Sequence, residues 1–436
     1  MKSCFLTVIA LWFALAPGRG AAQSQAADSL TVQEAISLAL ESHPSIQQAE
    51  FGAAASGARI QTNRSSYAPD IAFSGSYARI GPDPSFDIPG LGSLKLFPED
   101  NFDFQVGLRQ TLYDFGRVAG AVDLARATHV GSGDYVEMVR YGLAYQTIMN
   151  FYSILILHEN IAVLNEQIEA LRQHLDVSTK RMRAGTATDF DTLTTRVRIA
   201  AATNDQIDAS RALQTQEIIF RQLTGLPDEQ PVILKGAFAS QNLTANPDSL
   251  LGVAQGARPE LVLARDAERT AMVQRHLVSL GDKPSLVLNV APGLKNGYLP
   301  NLNTLKWDFA AGLELRAPIF NGHRTRHQEE EADANLRSAK AREDDLSRQV
   351  VSEVQQALAA VRSSWEKIEA TEIQVTEAES ALSMANVRYE AGVVTNLDLL
   401  DAQTALSQAK LMHLRSLYDY TVSLTALDKA TGKKLW

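Results

Sequence analysis

Two stretches decide the fold: Arg181–Asp191, RMRAGTATDFD, and Arg388–Asp398, RYEAGVVTNLD. They lie 207 residues apart and agree at Arg181/Arg388, Ala184/Ala391, Gly185/Gly392, Thr188/Thr395 and Asp191/Asp398. In each, helix-forming residues run up to a glycine, and a threonine three residues on is placed to cap the next helix, so each reads as the tip of a helical hairpin. Working outward at the same offset, Phe102 meets Phe309, Leu108 meets Leu315, Arg109 meets Arg316, Tyr113 meets Phe320 and Arg117 meets Arg324. Downstream it joins Thr224–Gly225 to Thr431–Gly432. Upstream the offset becomes 215, pairing Pro44 with Pro259 and Pro69 with Pro284, and the length change falls in the Pro- and Gly-rich piece Gly81–Asp100. The chain is a tandem duplication.

Proline placement separates the helical parts from the rest. None occurs between Pro98 and Pro227 or after Pro318, and proline breaks helix interiors. The first window carries Ile161, Leu164, Ile168, Leu171 and Leu175 at spacings of three and four, a coiled-coil seam; the second has a weaker seam at Ile368, Val375 and Leu382. Each window predicts a long helical hairpin, with tips near residues 185 and 392. A continuous helix from Val118 to Arg183 would span roughly 100 Å, several times a bilayer, and so projects into an aqueous space. The expected organisation is a first repeat over 23–226, a linker of short elements over 227–257, and a second repeat over 258–436.

Period-two alternation marks strands. Phe102, Phe104, Val106 and Leu108 alternate with Asp103, Gln105, Gly107 and Arg109; Trp307, Phe309, Ala311, Leu313 and Leu315 alternate with Asp308, Ala310, Gly312, Glu314 and Arg316. With weaker partners ahead of them, the strands are placed at 71–80 and 102–112 in the first repeat and at 285–291 and 307–317 in the second. Strands of about 9–11 residues with one apolar face suit a tilted bilayer crossing. A half-buried strand in a soluble sandwich is the plainer reading of alternation alone. In lipid an open sheet edge is too costly to persist, and single-chain barrels begin at about eight strands. Four strands per chain therefore call for oligomerisation, and three chains, a homotrimer, give twelve strands that close a barrel in lipid.

Composition narrows the function. Lys2, the apolar run Phe5–Leu15 and the small residues before Ala22 read as a signal peptide over 1–22. Beyond it no run of about 18 apolar residues is apparent, so no membrane-spanning helix is expected. The single cysteine, Cys4, precedes the apolar run, and without Lys2 and Arg19 the net charge moves from −9 to −11, which speaks against a nucleic-acid partner. No phosphate-binding loop, nucleophile elbow or paired catalytic carboxylate is present, so neither an enzyme nor a cofactor is expected. His323 and His327 stand four apart, but Arg324 and Arg326 lie between them and no metal site is expected.

Leu112–Arg117 (LYDFGR) and Ala317–Gly322 (APIFNG), with the two tips and the opening Leu30–Pro44 (LTVQEAISLALESHP), resemble the signatures of the TolC-like outer-membrane efflux (channel-tunnel) family, over nearly the whole chain after residue 22. The resemblance implies a mainly helical fold with a membrane β-barrel: a trimer of twelve strands continuing into a twelve-helix periplasmic tunnel. It implies the outer membrane of a Gram-negative bacterium and a passive exit duct of a tripartite efflux or type I secretion system. A periplasmic adaptor would dock on it and an inner-membrane pump of the RND, ABC or MFS type would drive it. Gly116, Pro318 and Gly322 fall at its strand–helix junctions, and Arg181, Gly185, Thr188, Arg388, Gly392 and Thr395 on its adaptor-docking tips. Asp398 and Asp401, three apart on one helix face, match its periplasmic constriction, where crowded carboxylates raise one another's pKa. Asp191 and Tyr389 match its closing latch. Val394 stands where the family's latch arginine is expected, with Arg183 and Arg388 the candidates to replace it. A secreted, soluble coiled-coil scaffold is the alternative, and a stand-alone porin, which has no long helical hairpins, a third.

Overall fold

The structure is a computed structural model that describes residues 29–436 except 83–84, 89, 91 and 244–245, so the expected signal peptide lies outside the described residues. In chain order the elements are α1 (Val32–Ser42), α2 (Pro44–Ser65), β1 (Asp70–Arg79), β2 (Ser85–Ile88), β3 (Gly92–Lys95), β4 (Asp100–Tyr113), α3 (Arg117–Arg183) and α4 (Asp189–Thr224). They continue with α5 (Pro247–Ala257), α6 (Pro259–Ser279), β5 (Ser285–Lys295), β6 (Lys306–Arg316), α7 (Arg324–Glu390) and α8 (Asn396–Thr431). The duplication is exact in length where the helices are longest: α3 and α7 both have 67 residues, α4 and α8 both 36. Each long helix spans about 100 Å and is flanked along its length by two shorter ones, α3 by α2 and α4, α7 by α6 and α8.

The expected linker of short elements over 227–257 holds one helix among its described residues. Its last eleven residues are α5, which lies 215 residues after α1 and has the same length. By that offset α5 is the counterpart of α1. Asn246 caps α5 and Pro247 occupies its first turn, both ordinary starting devices, but Gly252 and Gly256 inside it weaken the helical signal.

β1, β4, β5 and β6 form one antiparallel sheet in the order β1–β4–β5–β6, and β2 pairs with β3 in a separate hairpin within the Gly81–Asp100 loop. The register aligns one face across all four strands. Ile71 stands opposite Leu108, Phe73 opposite Val106, Leu108 opposite Val290, Leu288 opposite Leu313, and Leu294 opposite Trp307. Those residues make a continuous apolar face with almost nothing covering it: Phe73 is 71 % exposed, Trp307 67 % and Leu315 72 %. The other face carries Asp103, Gln105, Arg109, Asn289, Asp308 and Glu314. β5 runs to Lys295, past the strand end expected at 291, because Pro292 keeps its register opposite Phe309.

Around the middle of the long helices a belt of short elements packs into a core. Ala35 of α1, Phe151 and Ile154 of α3, Phe220 of α4 and Val232 pack together, and Leu30 bridges to Leu234. α3 does carry an apolar window of bilayer-crossing length, contrary to the sequence expectation. Leu143, Ala144, Ile148, Phe151 and Ile154 of this helix are nonetheless buried against protein neighbours, so this apolar stretch is belt core.

Nearer the sheet, α2, α3 and α6 border a groove of about 790 Å³. At its margin Gly131 of α3 faces Asp266 of α6. Burial pushes the Asp266 carboxyl up to about 6, with the neighbouring Asp134 carboxyl adding to the rise and Arg269 opposing it. The native state therefore holds a proton that the unfolded chain has released between the ordinary aspartate value and about 6. Stability falls as pH rises through that window, and the penalty is fully present above it. Asp266→Asn is expected to raise the urea midpoint at pH 7 and to flatten its change between pH 4 and 6. An unaltered pH profile in the variant would show that this carboxyl is not the group responsible.

Candidate functional site

The strand–helix junctions repeat at the level of backbone conformation. Phe115 and Gly116 have φ of 56° and 87°; their partners at the 207 offset, Gly322 and His323, have φ of 67° and 62°. Both junctions use two successive left-handed residues, with glycine second in one repeat and first in the other. The first is stabilised by Asp114, whose carboxylate accepts from the backbone N–H of Gly116 at 2.9 Å and of Val118 at 2.8 Å. In the second, Asn321 stands at the position of Asp114 and donates to Thr325 Oγ1 at 2.8 Å. Pro318 lies two residues past the end of β6, where no ladder continues. His327 pairs with Glu330 at 3.0 Å, one turn along α7.

The two tips are also built alike. α3 and α7 end at Ala184 and Ala391, then Gly185 (φ +74°) and Gly392 (φ +72°) reverse the chain. A Cβ at either would carry the left-handed penalty of roughly 1–2 kcal/mol. Thr188 and Thr395 then cap α4 and α8 through reciprocal capping boxes. Thr188 Oγ1 donates to Asp191 Oδ2 and Thr395 Oγ1 to Asp398 Oδ2, both at 2.7 Å, and each aspartate N–H donates back at 3.3 Å.

Those boxes alter the reading of the acids. Asp191 and Asp398 are first of all caps, and the Thr395 side chain and backbone hold the Asp398 carboxyl below the ordinary aspartate value. Within one chain this is the reverse of the rise expected from crowding. Asp401, three residues on, accepts from Arg198 of α4 at 2.8 Å. The paired acids thus have separate partners in the single chain.

The remaining tip contacts join the two hairpins. Arg181 donates to the Tyr389 carbonyl at 3.2 Å, and its guanidinium lies 4.6 Å from the centroid of the Tyr389 ring. His174 meets the same ring edge-on at 5.3 Å and hydrogen-bonds Asn396 Oδ1 and Ser178 Oγ. Asn396 in turn donates to the Asp191 carbonyl at 3.2 Å. The cation at Tyr389 is therefore Arg181; Arg183 and Arg388 are exposed at the surface. Arg181 is half-buried and turned towards Tyr389, whereas Gly185, Thr188, Arg388, Gly392 and Thr395 are exposed.

His174, Arg198 and Asn396 escaped the sequence reading. Two of them left a trace. His174 and Ser178, both buried, continue the seam of Leu164, Ile168 and Leu171 with polar side chains. Asn396 replaces the aspartate of its offset partner, Asp189. Arg198 carries no such mark.

The family described as outer membrane efflux protein matches residues 35–226 and 250–433. Protein CyaE of Bordetella pertussis is 25 % identical over 352 residues, covering 79 % of this chain and 72 % of that protein. Outer membrane efflux protein BepC of Brucella suis is 24 % identical over 364 residues, covering 80 % and 72 %. The crystal structure of the CmeC outer membrane channel of Campylobacter jejuni superposes with a TM-score of 0.81 at 16 % identity, over 92 % of this chain and 85 % of that one. A soluble coiled-coil scaffold is thereby set aside, as the bare apolar face of the sheet also requires. The chain belongs to the outer membrane efflux protein family: it is an exit duct of the outer membrane with a periplasmic helical tunnel.

Proposed function

We propose that three chains assemble into one duct and that the hairpin tips form its periplasmic gate. The observation that carries this reading is the position of the open flanks. The sheet runs β1–β4–β5–β6; the helices beside it run α2–α3–α6–α7; those towards the tips run α4–α3–α8–α7. At every level one flank belongs to the first repeat and the other to the second, and each cross-section holds four elements. Three such arcs close twelve strands into a barrel, which satisfies the edge hydrogen bonds that lipid leaves unpaired, and twelve helices into a tunnel below it. Apolar side chains on the flanks, such as Val197 of α4 at 68 % exposure and Ile373 of α7 at 64 %, then gain partners.

At the tips, threefold assembly gathers Asp398 and Asp401 around the axis, with Asp191 and Tyr389 holding neighbouring hairpins in place. The exposed turns, with Phe190 and Val393 at 70 % and 73 % exposure, give a periplasmic adaptor an apolar surface on which to dock. A docked adaptor that binds the open tips better shifts the population towards them, and an inner-membrane pump of the RND, ABC or MFS type supplies the cargo. Two measurements test this: the mass of the purified protein in mild detergent, and cross-linking of single cysteines placed on β1 and β6. A trimer whose β1 and β6 cysteines link different chains is the expected result; a monodisperse monomer would defeat the proposal.

A further inference from the structure

The duplication repeats two arginines astride the strand–helix junction, Arg109 with Arg316 and Arg117 with Arg324, and the gate makes no use of them. The fold collects all four, together with Lys283, around a cavity of about 350 Å³ in which Glu314 is the sole acidic lining residue. Lys283 lies 3.5 Å from its neighbour Asp282, and Glu314 accepts from Asn289 at 3.4 Å. The four arginines form no ion pair among the described residues.

Their placement is costly by local rules. Arg117 and Arg324 are the first residues of α3 and α7, where the helix dipole disfavours a cation. Asp114 offsets this for α3, but α7 has neither a side-chain cap nor an acid in its first turn. Arg109 and Arg316 adjoin Leu108 and Leu315 in sequence and so leave the sheet on the opposite, polar face. In a closed barrel that face lines the lumen. Unpaired cations held against helix dipoles, in a chain of net charge −9, break local consistency in the way that functional sites do.

We infer that this cavity is an anion-binding site in the lumen, taking the phosphate or carboxylate groups of anionic cargo. The inference rests on the duct reading for its place in the lumen. Guanidinium groups bind such oxyanions through paired, charge-assisted hydrogen bonds. Five basic side chains from each of three chains make a ring of fifteen where the barrel meets the tunnel. Anionic solutes arriving from the acidic tips would be retained there before leaving through the barrel.

The test is calorimetric titration of the purified full-length protein, in neutral detergent, with sodium tripolyphosphate. Saturable binding that weakens steeply with added salt is expected. Arg109→Gln/Arg316→Gln is expected to weaken it about tenfold or more, while Arg342→Gln/Arg362→Gln, an equal loss of charge from exposed positions of α7, binds as the wild type does. Repeating the titration in nanodiscs containing anionic phospholipid separates cargo from lipid. Unchanged affinity supports a soluble anion, and competitive loss assigns the cavity to headgroups and overturns the inference. No binding to the wild type, or equal affinity in the arginine variant, also overturns it. Size exclusion on the same samples reports assembly and folding independently. A monomer there sinks the trimer reading, yet its titration still tests the cavity, since all five side chains belong to one chain.

Discussion

Arg258→Ala is expected to destabilise the helical belt by about 3 kcal/mol, read as a fall in the urea midpoint. Arg258 is only 5 % exposed and ends α5 while opening α6. Its guanidinium meets Glu260 at 3.0 Å and Glu353 of α7 at 2.8 Å, and donates to the carbonyl of Ala430 in α8 at 3.3 Å. Four helices thus converge on one side chain. Gly432 (φ +72°), which closes α8, packs so near the same corner that a Cβ there would stand 2.8 Å from the Arg258 nitrogen. Truncation leaves two half-buried carboxylates and a helix-terminal carbonyl without the buried cation between them, and losing one partner of such a pair is expensive. Replacing both partners with apolar groups removes that expense, so Arg258→Met/Glu353→Leu is expected to recover much of the loss. A midpoint for Arg258→Ala within experimental error of the wild type would falsify this account.

Which parts of the molecule were legible in the sequence follows from how far each signal reaches. Gly185 and Gly392 were readable because a reversal needs a left-handed residue locally, and the alternation through Phe102–Arg109 and Trp307–Arg316 because one face of the sheet is apolar throughout. α5 was not, since Gly252, Gly256 and the breakers before it obscure a helix that tertiary contacts with α7 and α8 stabilise. β5 was cut short at 291 because Pro292 resembles a terminator until its partner Phe309 is known. At the site the limit is sharper. The offset makes Arg181 and Arg388 equivalent, yet one faces Tyr389 and the other solvent, because α3 has the second hairpin beside it and α7 lies on an open flank. The bond between His174 and Asn396 spans 222 residues, and no local periodicity encodes such a pairing. Asp191 and Asp398 were legible as chemically significant, but the Thr-x-x-Asp spacing that makes each a cap carries as much weight as their match to a gate.

Cutting the ties between the two hairpins should open the tips. Arg181→Ala removes a cation–π contact with Tyr389, worth about 0.5–1 kcal/mol, and Arg198→Ala removes an exposed ion pair to Asp401 worth about 0.2–1 kcal/mol. The hydrogen bond from Arg181 to the Tyr389 carbonyl adds about 1 kcal/mol. Together the double variant loses about 2 kcal/mol of closure, and since 1.4 kcal/mol is tenfold, the open population should rise about thirtyfold. Ile168, Leu171, Ala202 and Leu400 pack beneath the tips and stay intact, so the second hairpin has a firm core about which to swing. Planar-bilayer recording of the double variant should show large openings more often than the wild type does. Arg388→Ala is the control, because that arginine is exposed and its loss severs nothing between hairpins. Equal open probability in the double variant and the wild type, or equal opening by Arg388→Ala, would place the latch elsewhere. The ties removed are partly exposed and lie within about three turns of the tips, while the His174–Asn396 bond and the core beneath it remain as the pivot. On the gate proposed above, an adaptor would then have to supply only a few kcal/mol of differential binding to favour open tips.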